Sequence, residues 1–209
     1  MIKNYIKNNK HVLILAYWPI HYAWYAILQA VTMQRNPVPI SCGPDSFIPF
    51  CEWFIIPYAF WFLQITAVSL FLLIKDREGF IRLYIYMFAG MFVCMVVCTL
   101  FPMYFDRGNT LMYANDNPLT EAVKFLQGFA PPATVMPSMH VYVTVGLHIA
   151  VCRNKILGGD KRTVLASFTL CAAICLSTVF IKQHSILDAA AGLLLCVPMY
   201  FIAYKIKRR

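Results

Sequence analysis

The chain has 209 residues, 60% of them hydrophobic and only 13% charged, with a mean hydropathy of +0.63. Soluble domains carry about a quarter charged residues, so this composition excludes an ordinary soluble domain and predicts a polytopic membrane protein. The net charge of +9 is then read from where the basic residues fall, and no nucleic-acid partner is expected.

Residues 1–10 are short and basic, and residues 11–31 form an apolar run about long enough to cross a bilayer. No small-residue cleavage site follows, which predicts a retained helix and not a signal peptide. Residues 32–50 are polar and rich in Pro and Gly, and read as a loop; Glu52 and Trp53 mark the return to the interface. The second span covers 51–74 and carries Pro57, which neighbouring helices can accommodate. A charged turn from Lys75 to Arg82 leads to the third span, 83–103, which runs into F-P-M-Y-F-D-R. Within the polar segment 104–135, residues 120–129 are expected as an interfacial helix with Thr120 as its N-cap. P-S-M-H at 137–140 opens the fourth span, which ends by Cys152. A basic turn at 153–162, a fifth span at 163–181, a sixth at 185–204 and a basic tail complete the chain. With no internal repeat or low-complexity tract, residues 1–209 read as one all-α domain of six membrane helices.

The eight cysteines make no framework. Cys94, Cys98, Cys171, Cys175 and Cys196 lie in apolar runs as small hydrophobes, and no CxxC spacing occurs. Only Cys42 and Cys51 lie where a disulfide could form, and two free thiols are expected there.

Six spans place both ends on one side. Fourteen basic residues, in 3–10, 75–82, 153–162 and 205–209, then fall with the termini, against Arg35, Arg107, Lys124 and Lys182 on the other side. The positive-inside rule makes both termini cytoplasmic. Arg107, Ser138, His140, Lys182, His184 and Asp188 therefore converge at the outer membrane edge.

Residues 177–192, S-T-V-F-I-K-Q-H-S-I-L-D-A-A-A-G, set a lysine, a histidine and an aspartate between two apolar runs, where charge is costly enough to need a purpose. In a helix beginning near His184, Asp188 shares its face and its carboxylate reaches the imidazole. Two histidines, one with a carboxylate partner, suit phosphoryl transfer. One attacks phosphorus, the other protonates the leaving oxygen, and cations with backbone N–H groups stabilise the non-bridging oxygens. Pro137 is expected in the first turn of the fourth helix, leaving the N–H groups near Ser138 to His140 facing an anion. A metal held by His140, His184 and Asp188 is the competing use. Arg107 and Lys182 would set cations beside that cation, so neither a metal nor another cofactor is expected.

P-S-M-H at 137–140 and S-x6-H-x3-D at 177, 184 and 188 resemble the second and third signature motifs of the type-2 phosphatidic acid phosphatase (PAP2) superfamily. F-P-x-Y-x-x-R at 101–107, with D-N-P at 116–118, resembles the segment many members carry ahead of them, so the resemblance covers about residues 101–192. Either motif alone is weak; both in order at one membrane edge are specific. The resemblance implies a six-helix bundle that needs no metal. In it His184 is the nucleophile that becomes a phosphohistidine, Asp188 orients it, and His140 is the general acid that later activates water or an acceptor alcohol. Ser138 and Arg107 hold phosphate oxygens. The implied substrate is a phosphorylated lipid, such as phosphatidic acid, phosphatidylglycerophosphate or a polyprenyl diphosphate, hydrolysed at the outer leaflet of the plasma membrane.

Three positions depart from the pattern. Leu100 stands where a lysine opens the first motif, Gly108 where a proline follows the arginine, and Thr178 where an arginine follows the serine. Lys182, one helical turn after Thr178, is the candidate replacement cation. The K-Q-H-x3-D form also resembles, more loosely, inositol phosphorylceramide synthase-like and sphingomyelin synthase-like transferases. A phospho-headgroup transferase is thus the alternative, and a catalytically silent lipid-binding or transport protein the second; intact His140, His184 and Asp188 argue against the silent one. Structural roles stand beside these: a helix-capping ion pair for His184 and Asp188, and snorkelling for Arg107 and Lys182. His21, among Trp18, Tyr22, Trp24 and Tyr25, and His148, eight residues past His140, are read as packing residues. D-S-F-I-P-F at 45–50 is either a cover for the site or an interfacial elbow.

Overall fold

The computed structural model describes residues 10–112 and 114–205; Lys3, Lys7, Lys207, Arg208 and Arg209 of the basic flanks lie outside them. The chain is mostly helical, with α1 (Tyr17–Val31), α2 (Ile55–Lys75), α3 (Arg77–Leu100), α4 (Pro118–Phe129), α5 (Met139–Arg153), α6 (Lys161–Phe180) and α7 (Ile186–Tyr200). Among the described residues, four stretches are long and apolar enough to cross a membrane: Glu52–Lys75, Arg77–Leu100, Lys161–Phe180 and Ile186–Lys205. The two remaining predicted spans are different. Residues Lys10–Ala16 form a 3₁₀ turn before α1, because Pro19 offers no N–H to Leu15 and its ring would strike that carbonyl in a continuous α-helix. Helix α5 has 15 residues and rises only about 22 Å.

Local chemistry fixes the helix ends. Asp76 caps α3 by accepting from Gly79 N at 2.8 Å, and α3 stops at Leu100 because Phe101 precedes Pro102 and is driven out of the helical region. Pro57 is the third residue of α2, inside the first turn where no intrahelical N–H is required, so no neighbour has to accommodate it. Helix α4 begins two residues earlier than expected. Its cap is Asn117, not Thr120: the Asn117 side chain accepts from Leu119 N at 2.9 Å and Thr120 N at 3.0 Å, with Pro118 pre-set at the first position. Pro137 is likewise outside its helix, because Ser138 is the cap of α5.

One short parallel ladder departs from a purely helical fold, pairing β1 (Val38–Pro39) with β2 (Met103–Tyr104). Val38 N donates to Pro102 O at 3.0 Å and Ile40 N to Tyr104 O at 2.7 Å. These are the alternate donors, so Pro39 between them costs nothing.

Helix α5 is the hub, packed by α2, α3, α6 and α7. Its Tyr142 stacks on Tyr86 of α3 with ring centres 4.7 Å apart and planes 3° from parallel. A Cβ on Gly90 would fall 2.1 Å from the Tyr142 ring, and one on Gly146 2.2 Å from the Tyr86 ring, so each tyrosine lies over the other helix's glycine. Cys42 and Cys51 are free thiols. His21 is buried against Tyr17, Trp18 and Tyr22, and His148 Nδ1 pairs with Ser167 Oγ at 3.0 Å.

Candidate active site

The turn between α6 and α7 brings its histidine forward by ending α6 abruptly. Lys182 adopts φ +56°, the left-handed conformation usual for a glycine at this position past a helix. Gln183 N and His184 N then both donate to Thr178 O at 3.0 Å. Lys182 is therefore not on the α6 face that carries Thr178, as continuous helix would require. Its ammonium donates to Asp45 O at 3.0 Å and Ile48 O at 2.6 Å.

Helix α7 opens with a reciprocal cap. Ser185 Oγ accepts from Leu187 N at 3.1 Å, and Asp188 Oδ2 accepts from Ser185 N at 3.0 Å. The same Oδ2 lies 3.2 Å from His184 Nδ1. Helix capping and histidine orientation thus share one carboxylate oxygen, fully buried with its residue; Oδ1 has no partner among the described residues. An Nδ1–H donated to Asp188 assigns the tautomer with a lone pair on Nε2.

Asp188 also joins the second histidine's helix, because its carbonyl accepts from Ser138 N at 3.0 Å. A Cβ on Gly192 would fall 2.7 Å from Ser138 O, so only glycine lets α7 approach the start of α5 this closely. Ser138 Oγ accepts from Val141 N at 3.4 Å as the helix cap. His140, in the first turn, has its ring 5.6 Å from that of His184. On its other side it meets Tyr58 at 4.7 Å and Trp61 at 4.4 Å. His140 thus lies between His184 and two aromatic rings of α2.

Arg107 reaches the turn from the α3–α4 connection. Its guanidinium donates to Gln127 O at 3.1 Å, Ala130 O at 2.7 Å and Gln183 Oε1 at 2.7 Å, and Nε is buried without a partner among the described residues. Burial lowers its pKa to about 10, which leaves it charged near neutral pH. Leu100, Thr178 and Gly108, the three positions that differ from the resembled motifs, each have a local setting here. Leu100 is 64% exposed on α3, Thr178 Oγ1 donates to Cys175 O at 2.8 Å, and Gly108 has φ +57°, which a proline cannot adopt.

The structure thus brings His140, His184, Asp188 and Ser138 together, with Arg107 bonded to Gln183 next to His184, and buries Lys182 against the carbonyls of the 41–50 loop. Sequence reasoning missed Asp45. Its carboxylate accepts from Ser185 Oγ at 2.6 Å, Ile186 N at 2.9 Å and Cys42 N at 2.8 Å, clamping the loop to the histidine turn. Burial alone would raise the Asp45 pKa, but these donors outweigh it and hold it below the ordinary aspartate value. Burial lowers the Lys182 pKa, partly opposed by the Asp45 charge. The available signal was that Asp45 is the sole acid in residues 32–50. Tyr58, Trp61 and Gln183 were also missed, their contacts depending on which helix faces meet. A cavity of about 670 Å³ lies between the 41–50 loop and Phe105–Thr110, with Arg107 and Lys182 in its wall. Among the described residues no three His, Cys, Asp or Glu side chains converge as a metal-ligand set.

Comparison with protein-family models, with curated proteins and with solved structures gave no significant match.

Proposed function

We propose that the chain is a PAP2-like membrane phosphatase of six spans that hydrolyses a phosphorylated lipid at the outer leaflet through a phosphohistidine. The observation that carries this reading is the shared geometry of His184, Asp188 and His140: one imidazole anchored through Nδ1 with Nε2 left for attack, and a second ring 5.6 Å away. Nε2 of His184 attacks phosphorus, the bond from phosphorus to the lipid oxygen breaks, and His140 gives that oxygen its proton. His140 next takes a proton from water as the water oxygen attacks the phosphohistidine, releasing inorganic phosphate and restoring His184. With Arg107 donating to protein acceptors, the non-bridging oxygens fall to its unpartnered Nε and to backbone N–H groups at the start of α5.

The test is phosphate release by detergent-purified protein in EDTA from phosphatidic acid, phosphatidylglycerophosphate and a polyprenyl diphosphate. His184→Ala should reduce release by about a thousandfold or more, and radiolabelled phosphate should be trapped on the wild-type chain by alkaline quenching during turnover and be absent from His184→Ala. Release that persists in His184→Ala defeats the mechanism. A second reading, transfer of a phospho-headgroup to a lipid alcohol, draws on the 670 Å³ cavity that has Arg107 and Lys182, though neither histidine, in its wall. It predicts product only when donor and acceptor alcohol are supplied together.

A further inference from the structure

His140 and Arg153 lie near opposite ends of α5, thirteen residues and about 20 Å apart. At the Arg153 end is a second cavity of about 600 Å³, walled by Lys75, Asp76, Glu78, Arg82, Arg153 and Lys155. Its carboxylates are already engaged. Asp76 accepts from Gly79 N and from Asn154 Nδ2, both at 2.8 Å. Glu78 receives Nε and Nη2 of Arg82 at 2.9 and 2.6 Å, while Arg82 Nη1 donates to the carbonyls of Ala203 and Tyr204. Among the described residues, Lys75, Arg153 and Lys155 have no carboxylate within ion-pair reach; Arg153 donates through Nη2 to the Tyr200 hydroxyl and lies 5.3 Å from the centre of that ring.

A bias of basic residues toward one membrane face gives scattered, solvated side chains. Here cations from the end of α2, the end of α5 and the turn after it surround one concavity of ligand size, which focuses positive potential inside it. We infer that this cavity is a binding site for a phosphate-bearing anion, separate from the histidines and independent of the reaction proposed for them. The chemistry is common to an anionic phospholipid headgroup and to a soluble phosphate compound. Ile156 in the cavity wall, 62% exposed, offers an apolar neighbour suited to the lipid.

The experiment uses the full chain in detergent. Native mass spectrometry reads retention of phosphatidylglycerol against phosphatidylcholine, and calorimetry reads pyrophosphate. The wild type should retain phosphatidylglycerol, Lys75→Gln/Lys155→Gln should weaken it by about thirtyfold, and His184→Ala should leave it unchanged. Both lysines are exposed, so the double variant should fold, and Lys75→Glu/Lys155→Glu should abolish binding outright. Pyrophosphate binding with the same sensitivity to the lysines, and no preference for phosphatidylglycerol, supports the site and assigns it a soluble ligand. Absence of binding by either probe, binding indifferent to the lysines, or binding lost in His184→Ala overturns the inference.

Discussion

The two ends of α5 use cations in opposite ways. At the histidine end, Arg107 donates to Gln127, Ala130 and Gln183, and Lys182 to the carbonyls of Asp45 and Ile48, so both hold the frame of the site. At the other end Arg82 also ties the chain together, through Glu78 and the carbonyls of Ala203 and Tyr204, but Lys75, Arg153 and Lys155 line the same cavity without a carboxylate partner among the described residues. A lysine in a sequence carries the same charge in both settings; its acceptors decide whether it builds structure or stays available to a ligand.

If that contrast holds, substitutions should grade from the histidine end to the far end. Asp45→Ala should have the largest effect. It strands Ser185 Oγ, Ile186 N and Cys42 N, and a loss of about 3 kcal/mol or more is expected in denaturant unfolding; a variant as stable as the parent would break the comparison. Gly192→Ala sets a methyl 2.7 Å from Ser138 O, and should cost about 1–3 kcal/mol together with phosphate release. Lys182→Met keeps the left-handed backbone and loses two hydrogen bonds, for about 2 kcal/mol. Lys182→Gly loses the same bonds but relieves about 1 kcal/mol of backbone strain, so it should unfold later than Lys182→Met. Lys75→Gln and Lys155→Gln should each move stability by less than about 0.5 kcal/mol.

Acid should act on the same contrast. The folded Asp45 pKa lies below its ordinary value of 3.8. Its contribution is therefore fully present above that ordinary value and is lost as pH falls through the depressed one. Hydrogen exchange at Cys42 N and Ile186 N should accelerate across that acid window beyond its intrinsic pH dependence, and Asp45→Asn should remove the effect.

The helices were legible because apolar runs and polar turns mark them directly, and caps such as Asp76 and Asp160 stand where the composition changes. The first run was read as one helix because hydropathy does not register the carbonyl that Pro19 forbids. The His184–Asp188 contact was legible from helical spacing, whereas the path of Lys182 was not. A lysine in the left-handed region is uncommon, and nothing local signals that a loop more than 130 residues earlier supplies the acceptors. Tyr58 and Trp61 stayed hidden among 32 aromatic residues, because the choice of which ring meets His140 is made by helix packing.

The shortness of α5 has a consequence for the bilayer. On the six-span reading proposed above, its 15 residues rise about 22 Å against a hydrocarbon core of about 30 Å, a hydrophobic mismatch of about 8 Å. Neighbouring helices cover its sides but cannot lengthen it, so the deficit is met by a thinned membrane or by water and headgroups descending to its ends. Each ångström of added thickness should cost a fraction of a kcal/mol. Thin bilayers should accordingly present lipid headgroups to His140 more readily than thick ones.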